Sequence, residues 1–113
     1  VHIALPGRGS NVGTDVNPAY YVDTAIPLLI KKMCNFCNSL KNNLEIKVYG
    51  GAESIRETDT FKIGPRNVEM VKSILKKMNM AICHSDTGGK VSRSLIADVA
   101  TGTVKVKYQP LNI

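Results

Sequence analysis

Two histidines and three cysteines are the side chains in these 113 residues best suited to nucleophilic or metal chemistry. His2 lies in Val1-His2-Ile3-Ala4-Leu5-Pro6, an apolar run that ends in proline and leads into a Gly-rich stretch. An imidazole there could act as a general base near neutral pH, and it could equally be a structural histidine. Cys34-Asn35-Phe36-Cys37 has the spacing of a redox pair. Such a pair works at a helix N-terminus, where the dipole stabilises the thiolate. These two fall in the C-terminal half of an expected helix, so they read as helix-packed thiols. A zinc site made of them with Cys83 and His84 fails, because adjacent residues on a strand face opposite ways. Cys83 is expected to be a small buried hydrophobe, and His84 a solvated strand-end residue. No metal or cofactor is expected.

Two glycine clusters invite a nucleotide reading and do not carry it. Gly7-Arg8-Gly9 with Gly13 is one residue too long for a dinucleotide fingerprint and opens no helix directly. Gly88-Gly89-Lys90 has His84 where a phosphate loop needs glycine, and Val91 where it needs a hydroxyl.

The elements that would position these groups follow from periodicity. Residues 1–6 read as a buried strand, and residues 7–21 as a long polar loop. Ile26, Leu29, Ile30, Met33, Cys37 and Leu40 repeat at helical spacing over residues 23–40, with Pro27 in the opening turn. Leu44, Ile46 and Val48 alternate with Glu45 and Lys47 as a half-buried strand ending at Gly50-Gly51. A second helix starts at Gly64-Pro65. Its inner stripe is Val68, Val71, Ile74, Leu75 and Met78, its wet face Lys72, Lys76 and Lys77, and its stop Asn79. Residues 80–84 read as a strand and Asp86-Thr87-Gly88-Gly89 as a turn, with Asp86 bonding its own backbone. Residues 91–99 and 103–108 form a hairpin across Ala100-Thr101-Gly102. The order β–α–β–α–β–β–β, without repeat or linker, is one α+β domain over residues 1–113.

Composition narrows the function classes. Apolar residues make up 43% and charged residues 21%, a balance that suits a packed core and excludes a disordered tail. No apolar run is long enough to span a bilayer, and no secretory leader is visible. Three cysteines argue against a disulfide framework and fit a reducing, cytoplasmic setting. The net charge of +6 favours anionic partners. The absence of Trp and the scattering of lysines in ones and twos argue against nucleic acid. An acidic protein surface fits the charge better.

Five motifs in register resemble one family. They are Val1-His2-Ile3-Ala4-Leu5-Pro6, Tyr21-Val22-Asp23-Thr24-Ala25, Gly50-Gly51-Ala52, Ile63-Gly64-Pro65-Arg66-Asn67-Val68, and Asp86-Thr87-Gly88-Gly89 with Arg93-Ser94. Together they look like CheD, the chemoreceptor glutamine deamidases of chemotaxis. The resemblance implies packed β-sheets with flanking helices, similar to the cytotoxic necrotizing factor toxins and truncated at the N-terminus. It implies conversion of Gln to Glu on methyl-accepting chemotaxis receptors through a Cys-His-Thr site. It also implies pairing with CheC-type phosphatases, so a non-catalytic adaptor of receptors or of such a phosphatase is the alternative function.

In that family the histidine sits in the motif that holds His2 here. The nucleophilic Cys belongs to a Gly-Ser-Cys upstream of it, with the Thr just before the Cys. Only Val1 precedes His2, no Gly-Ser-Cys occurs, and Cys34, Cys37 and Cys83 match no nucleophile position. The expectation is therefore that this chain lacks the nucleophile and is inert by itself, with exposed sheet edge and core that favour self-association. Gly50, Gly51, Arg66, Asn67 and Thr87 are candidates for lining a substrate groove. Each also has a structural reading: close backbone passage for the glycines, loop tethering for Arg66 and Asn67, and a turn for Thr87.

Overall fold

Apolar residues at helical spacing set the two long elements of this computed structural model, which describes all residues except 8–16, 37–39, 57–59 and 112–113. Helix α1 spans Val22–Phe36 and helix α2 spans Ile63–Lys77. Val22, Ile26 and Ile30 of α1 meet Val71 and Leu75 of α2 to form the buried core. Ile3, Leu44, Ile46, Val48, Met80 and Ile82 pack around that centre. Each aliphatic side chain taken fully out of water there contributes about 1.5–3 kcal/mol.

Helix α1 starts earlier than the expected residue 23 and ends before the expected residue 40. Its first turn closes with the Ala25 N–H donating to the Tyr21 carbonyl at 2.8 Å. Pro27 therefore lies in the second turn, where its ring removes an N–H that the helix would have used. Met33 and Leu40, expected on the inner stripe, are exposed. Cys37 lies outside the described residues.

Helix α2 ends as its sequence predicts. Asn79 takes a left-handed conformation at φ 57°. The Met80 N–H donates to Leu75 O at 2.9 Å and the Asn79 N–H to Lys76 O at 3.0 Å. This is the Schellman pattern, which satisfies carbonyls the helix leaves open. Lys41 Nζ donates to the carbonyl of Met78, placing a cation at the negative end of the dipole.

Strand β1 (Lys47–Gly50) pairs in parallel with β2 (His84–Thr87), matching Lys47 to His84 and Gly50 to Thr87. Parallel neighbours need a crossover, and α2 supplies it. Strand β3 (Val91–Ala97) pairs antiparallel with β4 (Val104–Pro110). The fold is α+β with sheets and flanking helices.

Three expected elements shift. Residues 1–6 form a single parallel bridge, Leu5 to Tyr21, rather than a strand. The strand read from Leu44 to Gly50-Gly51 keeps its end but starts later, at Lys47, because Lys41–Asn43 form a 3-10 turn and Leu44 follows it as the cap. The strand read over residues 80–84 moves to β2, because the Schellman stop occupies Asn79 and Met80. Asp86 and Thr87 are therefore strand residues, and the turn falls on Gly88 and Gly89 at positive φ.

Candidate functional site

The backbone of Ala4 and Leu5 is fixed from two sides. Both N–H groups donate to the Tyr20 carbonyl, at 3.0 and 3.1 Å, and the Leu5 carbonyl accepts from the Val22 N–H at 3.0 Å. The Ala4 carbonyl accepts from Asn67 Nδ2 of α2 at 3.1 Å. Pro6 is buried behind them. His2 stands two residues upstream of this anchored pair and is exposed to solvent.

Asn67 belongs to a second junction at the start of α2. A side chain at Gly64 would place its Cβ 2.0 Å from the Ala52 carbonyl oxygen. One at Gly51, where φ is +66°, would lie 2.2 Å from Val68 Cγ2. These glycines let the loop after β1 lie directly on the first turn of α2. The same loop is stitched to the turn after β2: Gly88 N–H donates to Gly50 O at 2.9 Å, and Glu53 N–H to Gly89 O at 2.8 Å. Gly50, Gly51, Asn67 and Thr87 thus gather at the carboxyl ends of β1 and β2 and the N-terminus of α2. Ligands of open parallel sheets commonly bind at such strand ends. Arg66 shares that helical turn but is exposed, unlike half-buried Asn67. A surface depression of about 480 Å³ lies instead along the C-terminal half of α2, beside Leu75, Lys76, Asn79 and Met80.

Beyond the stitched turn sits a cluster that residue patterns did not disclose. Asp86 does not bond its own backbone, as expected, but accepts from two side chains. Arg93 lies 3.2 Å from Asp86 Oδ1 and also donates to the Gly88 carbonyl at 3.0 Å. Tyr108 Oη–H donates to Asp86 Oδ2. The Arg93 side chain is only 7% exposed, and its Nη1 has no partner among the described residues. The Tyr108 hydrogen bond, with Arg93 beside it, holds the Asp86 carboxyl below the usual carboxylate range. The same bond raises the Tyr108 phenol above its ordinary value. Asp86 and Arg93 flank the Gly-Gly turn in sequence, but they lie on β2 and β3 of different sheets, so their meeting is a tertiary contact that the spacing alone does not set.

The family model described as "CheD chemotactic sensory transduction" matches residues 4–108. The chain belongs to the CheD family. A protein of Pyrococcus abyssi named "Probable chemoreceptor glutamine deamidase CheD" is 38% identical over 109 residues, covering 95% of this chain and 66% of the relative. A Syntrophotalea carbinolica protein of the same name is 39% identical over 108 residues, covering 94% and 67%. One from Thermococcus kodakarensis is 38% identical over 109 residues, covering 95% and 66%. The chain spans about two thirds of the length of these curated CheD relatives.

The expectation that this chain is inert for want of a sulfur is overturned by its cysteines. Cys34 and Cys83 are free thiols among the described residues. Cys34 is half-buried on α1, packed against the core cluster. Cys83 is exposed rather than buried: it lies in the bend before β2, not inside a strand, with its N–H donating to Ile46 O at 2.8 Å. Neither sulfur is hydrogen-bonded to His2 among the described residues. No His, Cys, Asp or Glu group suited to a metal ion occurs among those residues. No helix among them is long and apolar enough to cross a membrane.

Proposed function

We propose that this chain serves in the deamidation of glutamine side chains on methyl-accepting chemotaxis receptors, with His2 as its acid–base group. Family membership supports the reaction class, and the relatives' names supply the substrate class. The observation that carries the role of His2 is its placement: an exposed imidazole two residues from a backbone pinned on both sides.

The chemistry sets what that imidazole does. A carboxamide carbon is a weak electrophile, so a thiolate attacks it and the N–H groups nearby stabilise the oxyanion. The imidazolium gives its proton to the departing nitrogen, and ammonia leaves. The neutral ring then takes a proton from water, whose oxygen attacks the thioester. Glutamate and free thiol result, and one water is consumed for each ammonia released. Gly50, Gly51 and Thr87 would border the substrate, with Arg66 at the exposed rim and Asn67 behind them on the Ala4 carbonyl.

The test is ammonia release from the cytoplasmic part of a chemoreceptor by the protein as its gene encodes it, with Gln-to-Glu conversion followed by peptide mass. His2→Ala should lower the rate by about 100-fold or more, the usual size of an acid–base contribution. A rate within about twofold of the parent, against that 100-fold benchmark, removes His2 from the mechanism. Cys34→Ser and Cys83→Ser in the same assay show whether either thiol supplies the nucleophile.

A second reading rests on charge. Lys31, Lys32, Lys72, Lys76 and Lys77 are all exposed on the outer faces of α1 and α2. That surface fits an acidic protein, either the receptor or a CheC-type phosphatase. An adaptor would keep salt-sensitive binding in His2→Ala and release no ammonia in any form.

A further inference from the structure

Asn67 presents an imbalance that packing alone does not explain. Its Nδ2 donates to the Ala4 carbonyl at 3.1 Å, a bond that joins residues 63 apart in sequence. Its Oδ1 is buried and has no partner among the described residues. A residue chosen for stability would not leave an acceptor desolvated and unpaired, because that loss offsets the bond made by the other end of the same amide. The other three ties of Ala4 and Leu5 all come from Tyr20 and Val22 around the start of α1. Asn67 supplies the side-chain bond from α2.

We infer that Asn67 is a positioning residue: it locks the segment bearing His2 against the N-terminal turn of α2, where the glycine motifs converge. The inference rests on the acid–base role proposed for His2. Without that bond the hydrogen bonds that hold the segment among the described residues come only from Tyr20 and Val22, and the packing of Ile3 on the core is left to restrain the imidazole relative to the strand ends. Chain geometry makes the link direct, since His2 lies two peptide units from the bonded carbonyl. The junction that holds Asn67 is itself rigid, because Gly51 and Gly64 bring the backbones of loop and helix into contact. Asp at this position keeps the shape but loses the donor at neutral pH. Leu removes both the donor and the unpaired acceptor.

The experiment compares Asn67→Asp and Asn67→Leu with the parent protein, as its gene encodes it, in two readouts. In ammonia release both variants should lose about 10–100-fold in kcat while KM changes less than about threefold, as expected when a reacting group is misplaced rather than substrate binding lost. In NMR spectra the His2 ring and Leu5 amide resonances should move toward unstructured positions in both variants, while α1 and α2 core resonances stay in place. Unchanged His2 and Leu5 resonances, or kcat within about twofold of the parent rather than that 10–100-fold loss, overturn the inference. The two claims fail separately. If His2→Ala keeps full ammonia release, the role of His2 falls, whereas the resonance shifts still decide whether Asn67 holds the segment.

Discussion

Asp86, Arg93 and Tyr108 show how three side chains couple a strand end to a hairpin and make that coupling respond to pH. The Asp86 carboxyl is lowered, first by the Tyr108 hydrogen bond and then by Arg93, so the folded state favours its charged form. That stabilisation is present in full above the ordinary carboxylate pKa of about 3.9, and it is lost as pH falls through the lowered folded value. The Tyr108 phenol is raised by the same bond, so the folded state favours its neutral form. Its contribution is intact below the ordinary phenol pKa of about 10, and it is lost as pH rises through the raised folded value. Urea midpoints measured across pH should therefore decline at both extremes. Tyr108→Phe should remove the phenol's share of the alkaline decline and part of the acid decline, because Arg93 still faces Asp86. Asp86→Asn should flatten both. An acid decline unchanged in Asp86→Asn would show that other carboxylates set it. Arg93→Ala should unfold at the lowest urea concentration of the three, since Arg93 is the most buried member and also holds the Gly88 carbonyl.

At the scale of elements, the first turn of α2 joins the loop after β1 through backbone rather than side chains. Gly64→Ala drives a Cβ to within 2.0 Å of the Ala52 carbonyl oxygen, and a backbone atom cannot rotate away as a side chain can. The substitution should cost about 1–3 kcal/mol or more, seen as a lower denaturation midpoint, even though alanine favours helices over glycine by about 1 kcal/mol. A stabilised Gly64→Ala protein would mean that loop and helix separate easily. This contact also marks how far the sequence could be read. The helices were legible, because Val71, Ile74, Leu75 and Met78 declare one face and Asn79 declares the stop. The first strand was not, because an apolar run such as Val1 to Leu5 looks the same whether it pairs along its length or makes one bridge to Tyr21. The strand into His84 was misplaced because Met80 and Ile82 are apolar for the sake of the core, not of a ladder. The motif residues were identifiable individually, whereas the Asn67 bond to Ala4 and the Asp86 cluster depend on tertiary approach that no local pattern encodes.

The whole molecule divides its stability unevenly between two parts. Apart from Pro6, the buried residues among those described, Tyr21, Val22, Ala25, Ile26, Ile30, Val71 and Leu75, belong to α1, α2 and the entry to α1. The β3–β4 hairpin contributes no buried apolar residue among those described, and Leu95, Ile96, Val99 and Tyr108 on it are exposed. Seven paired positions hold its strands to each other. Its attachment to the body runs through Arg93, Tyr108 and the Gly88–Gly89 turn. A two-stranded ribbon is marginal in water without a covered face, so opening the hairpin should require far less free energy than opening the helical core. Native-state hydrogen exchange should find the β3 and β4 amides less protected than those of Ile30, Val71 and Leu75 by at least about tenfold, which corresponds to 1.4 kcal/mol. Arg93→Ala should widen that gap, because it releases the hairpin while leaving the core contacts between α1 and α2 unchanged. Equal protection in both parts would instead make the molecule one cooperative unit, with the Asp86 cluster transmitting the stability of the core into the ribbon.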